Sequence, residues 1–182
     1  MRIIAGIAGG RRLKAPETDG TRPATDRVRE AVFSSLGDLV VDAVVVDLYA
    51  GSGSYGLEAL SRGASSATFV ENGHAAIRAL SENIRSLGIG GEIHKSTVRQ
   101  FLQSNRARFD LVFVDPPWPL VTEELERDFL AVDPRLRPGG VVVASRRHTD
   151  RVPEGPESWR VAAEKRYGDT RILRYQKETE GE

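Results

Sequence analysis

Short apolar runs alternate with amphipathic stretches along most of this 182-residue chain, and few architectures accommodate that rhythm. From Asp42 onward, the β-branched and apolar segments 44–46, 67–70, 92–94, 111–114 and 141–144 read as five strands. Helical spacing between them predicts helices through Leu57 and Leu60, over 75–87, over 98–102 and near 123–132. Parallel strands need a crossover between them, so this alternation predicts a parallel sheet with helices on both faces. Strand-like pieces at 159–162 and 171–175 extend it to a doubly wound, mostly parallel α/β sheet of seven strands. Right-handed crossovers then gather the loops that follow the strands on one rim, where ligands of such sheets bind.

Upstream, residues 1–15 read as a β-hairpin about a Gly9-Gly10 turn, followed by a proline-punctuated stretch, 16–23. A helix is expected over Asp26–Leu36, capped by Thr25 and stopped by Gly37. The expected layout is a hairpin arm and linker over 1–24, then one α/β domain over 25–182. The chain has no cysteine, which excludes thiol nucleophiles, disulfides and Cys-ligated metals. His74, His94 and His148 lack metal-ligand spacing, and no metal is expected. No apolar run approaches a membrane span of roughly 20 residues, and the first residues lack a secretory signal. A cytoplasmic protein without a membrane partner is expected.

The run Val44-Val45-Val46-Asp47-Leu48-Tyr49-Ala50-Gly51-Ser52-Gly53-Ser54-Tyr55-Gly56 contains G-x-G-x-x-G between a strand and a helix. Glycines there let the backbone turn tightly and approach a ligand closely. A ligand-free tight turn would look the same locally, so the neighbouring acids decide. Asp47 stands four residues before Gly51, where a carboxylate repels a pyrophosphate but can hold an ammonium group. Glu71 ends the second strand, 20 residues after Gly51, and can accept both hydroxyls of a ribose. A ligand with a ribose, a cationic amine and no phosphate fits best, and S-adenosylmethionine is such a molecule. Asp47-x-x-x-Gly51-x-Gly53 followed by Glu71 resembles the cofactor motifs of class I S-adenosylmethionine-dependent methyltransferases more than a nicotinamide or flavin site.

Asp115-Pro116-Pro117-Trp118 closes the fourth strand on the same rim. Two prolines would stop a strand in any case. The same four residues also suit methyl transfer to a planar amino group, whose lone pair is delocalised into its ring. The Asp115 carboxylate and the Pro116 carbonyl can accept the two N–H bonds and favour pyramidal geometry. Trp118 can stack on the base, a contact worth about 1–3 kcal/mol. Positioning and electrostatics suffice, because the leaving group is already good. The pattern Asp/Asn-Pro-Pro-aromatic is found in methyltransferases of exocyclic amino nitrogens. A base must be unpaired or flipped to reach such a pocket.

Lys plus Arg and Asp plus Glu both number 26, a neutral total that hides local asymmetry. Residues 1–15 carry Arg2, Arg11, Arg12 and Lys14 and no acid, which suggests a phosphate-contacting arm rather than solvated charge. Arg146 and Arg147 follow the fifth strand on the active rim and are candidate RNA contacts, as is Arg22.

Taken with Arg2-Ile3-Ile4-Ala5-Gly6, the run from Arg22-Pro23 through Thr25-Asp26-Arg27-Val28-Arg29-Glu30 and Leu57-Glu58-Ala59-Leu60-Ser61-Arg62-Gly63-Ala64, these motifs resemble one family along nearly the whole chain. It is the RsmD-like family of bacterial 16S ribosomal RNA guanine-N2 methyltransferases. The resemblance implies S-adenosylmethionine as methyl donor, a guanine N2 as acceptor, and a substrate presented in an assembled or assembling small ribosomal subunit. It also implies a Rossmann-like class I fold, and a monomer is expected. Carried over by position, Asp47, Gly51 and Gly53 meet the methionine part of the cofactor, Tyr49, Ala50, Ser52, Gly56 and Thr25 are further cofactor contacts, and the segment Arg22 to Arg29 closes over it. Glu71 meets the ribose, Thr97 and Val98 the adenine, and Asp115 to Trp118 the target base. Ser96-Thr97-Val98 departs from many class I enzymes in lacking an Asp for the adenine amino group, and Ala24 replaces a commoner Thr. The tetrad also serves enzymes of DNA adenine and protein glutamine, and a non-catalytic RNA-binding assembly factor could keep the same fold.

Overall fold

A computed structural model describes residues 1–16 and 25–179. Seven strands form one sheet: β1 (Val44–Leu48), β2 (Ser66–Glu71), β3 (Glu92–Lys95), β4 (Phe109–Val114), β5 (Leu136–Arg147), β6 (Trp159–Tyr167) and β7 (Thr170–Lys177). Their order is β3-β2-β1-β4-β5-β7-β6; the first five are parallel, and β7 lies antiparallel to both β5 and β6. Among the described residues, five α-helices accompany them: α1 (Asp26–Leu36), α2 (Ser54–Ser61), α3 (His74–Leu87), α4 (Val98–Ser104) and α5 (Thr122–Val132). None of the described helices is long and apolar enough to cross a membrane.

The sheet separates two cores, and the pleat assigns each residue to one of them. Val45, Leu111, Phe113 and Val143 face a core shared with α1, α2 and α3, while Val46, Leu48, Val112 and Val142 face α4 and α5. Burial on both faces explains why β1 and β4 are almost uninterrupted apolar runs. Thr25 accepts from the Val28 amide at 3.3 Å and starts α1; a reciprocal Thr97–Gln100 capping box starts α4.

Two features differ from the sequence reading. β5 begins at Leu136 rather than 141, because a register shift against β4 between Phe109 and Leu111 lets the Pro138-Gly139-Gly140 stretch join the strand. The arm forms a single Arg2–Arg12 bridge rather than two strands. Hydrogen bonds join its two limbs, the Ile3 amide donating to the Arg11 carbonyl at 2.9 Å and the Leu13 amide to that of Met1 at 3.1 Å, and tie it to the domain, the Ile7 amide donating to the Ser61 carbonyl and the Lys14 amide to Asn83 Oδ1, each at 2.8 Å. Ile3, Ala8 and Leu13 are buried in the α1–α3 core, so apolar packing and these hydrogen bonds together hold the arm.

Candidate active site

The ends of β1, β2, β4 and β5 meet on one rim, and each contributes a functional side chain. Asp47, the fourth residue of β1, is buried, and its Oδ2 accepts from the Gly56 amide at 2.9 Å. The carboxylate thereby ties the end of β1 to the first turn of α2. Between them, Tyr49 and Gly51 adopt left-handed backbone, with φ of 60° and 57°. A non-glycine residue in that region stores strain and is held there by its surroundings. The glycines of the turn have different duties. A side chain on Gly56 would stand 2.4 Å from the Phe69 ring, so Gly56 serves helix–sheet packing. Gly51 faces open space, so its freedom serves the turn and leaves the surface clear for a ligand.

Glu71 locks the loop from β2: its Oε2 accepts from the Gly51 amide at 2.8 Å, its Oε1 from those of Asn72 and Gly73 at 2.9 and 2.7 Å. Beside it lies a cavity of about 320 Å³ lined by Tyr49, Glu71, Thr97, Val98, Leu120, Glu124 and Asp128. Four residues expected at the cofactor thus come together from separate elements. The Thr97 hydroxyl is engaged in the cap of α4. Asp128 is new: the Tyr49 hydroxyl donates to its Oδ2 at 2.5 Å, and burial followed by this bond pushes the phenol pKa up.

A second cavity, of about 400 Å³, opens over the ends of β4 and β5 and is lined by Thr25, Arg27, Asp115, Trp118, Ser145 and the β6–β7 turn from Arg166 to Thr170. Asp115 receives a short hydrogen bond from the Ser145 hydroxyl to Oδ1. Burial raises the Asp115 pKa, and the Ser145 bond opposes that rise. Asp47 is pushed well above the usual carboxylate range, first by burial, then by the charges of Asp115 and Glu71, against the pull of the Gly56 amide. Among the described residues no Lys or Arg pairs with Asp47, Glu71 or Asp115. Three carboxylates without a counterion fit a cationic ligand that brings an ammonium, a sulfonium and ribose hydroxyls. The residues present therefore suit S-adenosylmethionine, and a pyrophosphate would meet repulsion.

Pro116 is buried, Pro117 exposed and Trp118 half-buried, with the Arg147 guanidinium 4.9 Å from the indole centre. Most other expected RNA contacts have internal partners. Arg11 donates to the Leu87 carbonyl at 3.1 Å and to that of Ser86, closing the C-terminus of α3. Lys14 pairs with Glu82, and Arg2 lies 3.6 Å from Asp26. Arg12 is exposed, without an ion-pair partner among the described residues, and Arg22 lies outside them. Arg146 corrects the expectation most directly. It is only 3% exposed, donates to the Leu120 carbonyl at 2.9 Å and pairs with Asp150 at 2.9 Å, so its charge is not offered to solvent.

Sequence reasoning missed Ser145, Asp128 and the β6–β7 turn. Nothing local distinguishes Ser145; its place one residue before Arg146 on the active rim is the sole hint.

Fold and rim together define a class I methyltransferase architecture. A solved Escherichia coli structure described as a methyltransferase superposes with a TM-score of 0.89 at 33% identity, covering 99% of each chain. A Haemophilus influenzae methylase structure gives 0.80 at 30% identity, covering 98% of each. A Streptococcus mutans methyltransferase structure complexed with SAH shares the fold at a TM-score of 0.68 and 11% identity, over 79% of this chain and 48% of its own. The family model described as conserved hypothetical protein 95 matches residues 1–176. Among curated relatives, ribosomal RNA small subunit methyltransferase D of Escherichia coli K12 is 36% identical over 183 residues, covering 100% of this chain and 92% of the relative. The protein of the same name from Haemophilus influenzae is 34% identical, over 97% and 93%. The chain belongs to this family, the RsmD-like methyltransferases.

Proposed function

We propose that this methyltransferase uses S-adenosylmethionine to methylate the exocyclic N2 of a guanine in 16S rRNA, on an assembled or assembling small ribosomal subunit, acting as a cytoplasmic monomer. The observation that carries the reading is the adjacency on one rim of two cavities. One is lined by Tyr49, which leads from β1 into the glycine turn, and by Glu71, the other by Asp115 and Trp118. When bound, S-adenosylmethionine supplies an electrophilic methyl group on a sulfonium. Asp47, the turn 49–53 and Glu71 hold the donor, with Tyr49, Thr97 and Val98 around the adenine.

The target amine is held by the carboxylate of Asp115 and the carbonyl of Pro116, while the two prolines make that segment stiff. Trp118 offers an indole face to the base. A carboxylate with a raised pKa is also better suited to receive the proton that the amine sheds after methyl transfer. Kinship with the ribosomal RNA small subunit methyltransferases of Escherichia coli and Haemophilus influenzae supports ribosomal RNA as the substrate. The family resemblance of the motifs supports guanine N2.

Methyl transfer from labelled S-adenosylmethionine tests this, with small subunits from cells lacking the protein, free 16S rRNA, DNA and protein offered as acceptors. Label is expected at guanine N2 in the subunit, and Asp115→Ala should lower transfer at least roughly 100-fold with the fold retained. Undiminished transfer by that variant, or label on DNA adenine or protein glutamine instead, defeats the reading. Calorimetry with S-adenosylmethionine separates it from an RNA-binding factor without catalysis, for which no cofactor binding is expected.

A further inference from the structure

β5 ends in Ser145-Arg146-Arg147, and each of these side chains holds a different part of the loop that follows β4. The parallel register sets Val114 opposite Ala144, so Asp115 lies beside Ser145. The Ser145 hydroxyl donates to Asp115 Oδ1, and the Arg147 guanidinium covers the Trp118 ring at 4.9 Å. Arg146, pointing to the opposite face, holds the Leu120 carbonyl where the chain turns toward α5. Val143 faces the α1–α3 core, so the pleat sends Ser145 and Arg147 to the side on which Phe113, and hence Asp115, faces.

Resting on the function proposed above, we infer that Ser145 and Arg147 are positioning residues for methyl transfer, fixing the carboxylate and the indole of the Asp115–Trp118 loop from the neighbouring strand. Ser145 engages Oδ1 and leaves Oδ2 to accept from the target amine. Arg147 covers one face of the indole and leaves the other for the base. Its planar guanidinium suits that stacking, which a lysine ammonium cannot reproduce.

Asp115 is faced by Asp47 of β1, Tyr55 of α2 and Ser145 of β5, with Arg27 of α1 and Arg166 and Asp169 of the β6–β7 turn lining the same cavity. Of these, Ser145 lowers the pKa that burial raises. Removing the hydroxyl therefore moves the Asp115 titration to higher pH.

The test combines ¹³C NMR of the Asp115 carboxyl, assigned with Asp115→Asn, with steady-state kinetics on small subunits. Ser145→Ala is expected to raise the titration midpoint, to move the acid limb of the kcat profile the same way, and to lower kcat by roughly 10- to 100-fold. KM for S-adenosylmethionine should stay within about twofold, and Ser145→Thr should restore the rate. Arg147→Lys should lower kcat, whereas a residue serving only as a phosphate contact would tolerate the change. An unmoved Asp115 titration in Ser145→Ala, or wild-type kcat in Arg147→Lys, overturns the inference. A wild-type protein that methylates no small subunit overturns the proposed function instead, and the carboxyl titration still decides the role of Ser145.

Discussion

Two buried carboxylates are tied to helix α2, Glu58 from within it and Asp47 through its first turn, and the protein treats them differently. Glu58, fully buried, accepts from the amides of Ile4 and Ala5 at 2.7 and 3.1 Å and from Arg62 Nε at 2.7 Å. Asp47 has one amide, that of Gly56, and its pKa is raised first by burial and then by the charges of Asp115 and Glu71. The first site fastens the arm to the domain and is complete. The second is incomplete without a cation from outside the chain. Cations divide the same way: Arg11 and Arg146 are engaged internally, while Arg27 and Arg166 are exposed beside the 400 Å³ cavity. Charge that is matched within the fold builds structure; charge left unmatched on the rim marks a ligand surface.

The largest expected effect falls on the matched side. Gly6 has φ of 80°, and a Cβ there would stand 1.7 Å from the Ser61 carbonyl oxygen, which accepts from the Ile7 amide at 2.8 Å. Gly6→Ala must push the arm off α2 and should cost about 2–4 kcal/mol, read as a lower denaturant midpoint with an unchanged slope. The folded fraction should still bind S-adenosylmethionine with wild-type affinity. If binding is lost while stability is unchanged, the arm belongs to the ligand site and the division between the two carboxylates collapses.

The reverse outcome is expected at Asp47. Its native pKa lies above its unfolded value, so the native state retains a proton that the unfolded state has lost. Stability from this group is therefore full below the ordinary carboxylate range and falls as pH rises through the native pKa. Asp47→Asn keeps an acceptor for the Gly56 amide and removes the charge. It should flatten that fall and stabilise the ligand-free protein at neutral pH by about 1–3 kcal/mol. The same change should weaken S-adenosylmethionine binding roughly 10-fold or more. Thermal unfolding across pH, paired with calorimetry, measures both; a destabilised variant with unchanged affinity would place Asp47 on the matched side.

The elements and their order were legible because periodicity and turn residues are local properties of a sequence. The glycine turn and the Asp115–Trp118 tetrad were legible for the same reason, each being one continuous segment. Ser145 was not, since its importance depends on the β4–β5 register that sets it beside Asp115. The β6–β7 turn reaches the cavity because β7 inserts between β5 and β6, a choice of strand order that no local pattern records. The partners of the arm's cations were hidden for a related reason: the carbonyl that engages Arg11 belongs to Leu87, 76 residues away.

The smallest expected effects separate two kinds of arginine. Arg11 donates to the last carbonyls of α3, so Arg11→Ala should cost about 0.3–1 kcal/mol of stability, the usual range for a cation at a helix C-terminus. It should leave the salt dependence of substrate binding untouched. Arg27 is exposed on the first turn of α1, and Arg166 spends only its Nε, on the Gly168 carbonyl at 2.9 Å. Alanine at either should leave the unfolding temperature near that of the wild type. Each should weaken small-subunit binding by about 1 kcal/mol and lower the slope of log affinity against log salt by about one unit, as the loss of one phosphate contact requires. Were Arg11→Ala to change the slope and Arg166→Ala to change only stability, the RNA surface would return to the arm. The cavity mouth would then hold a base without help from the backbone around it.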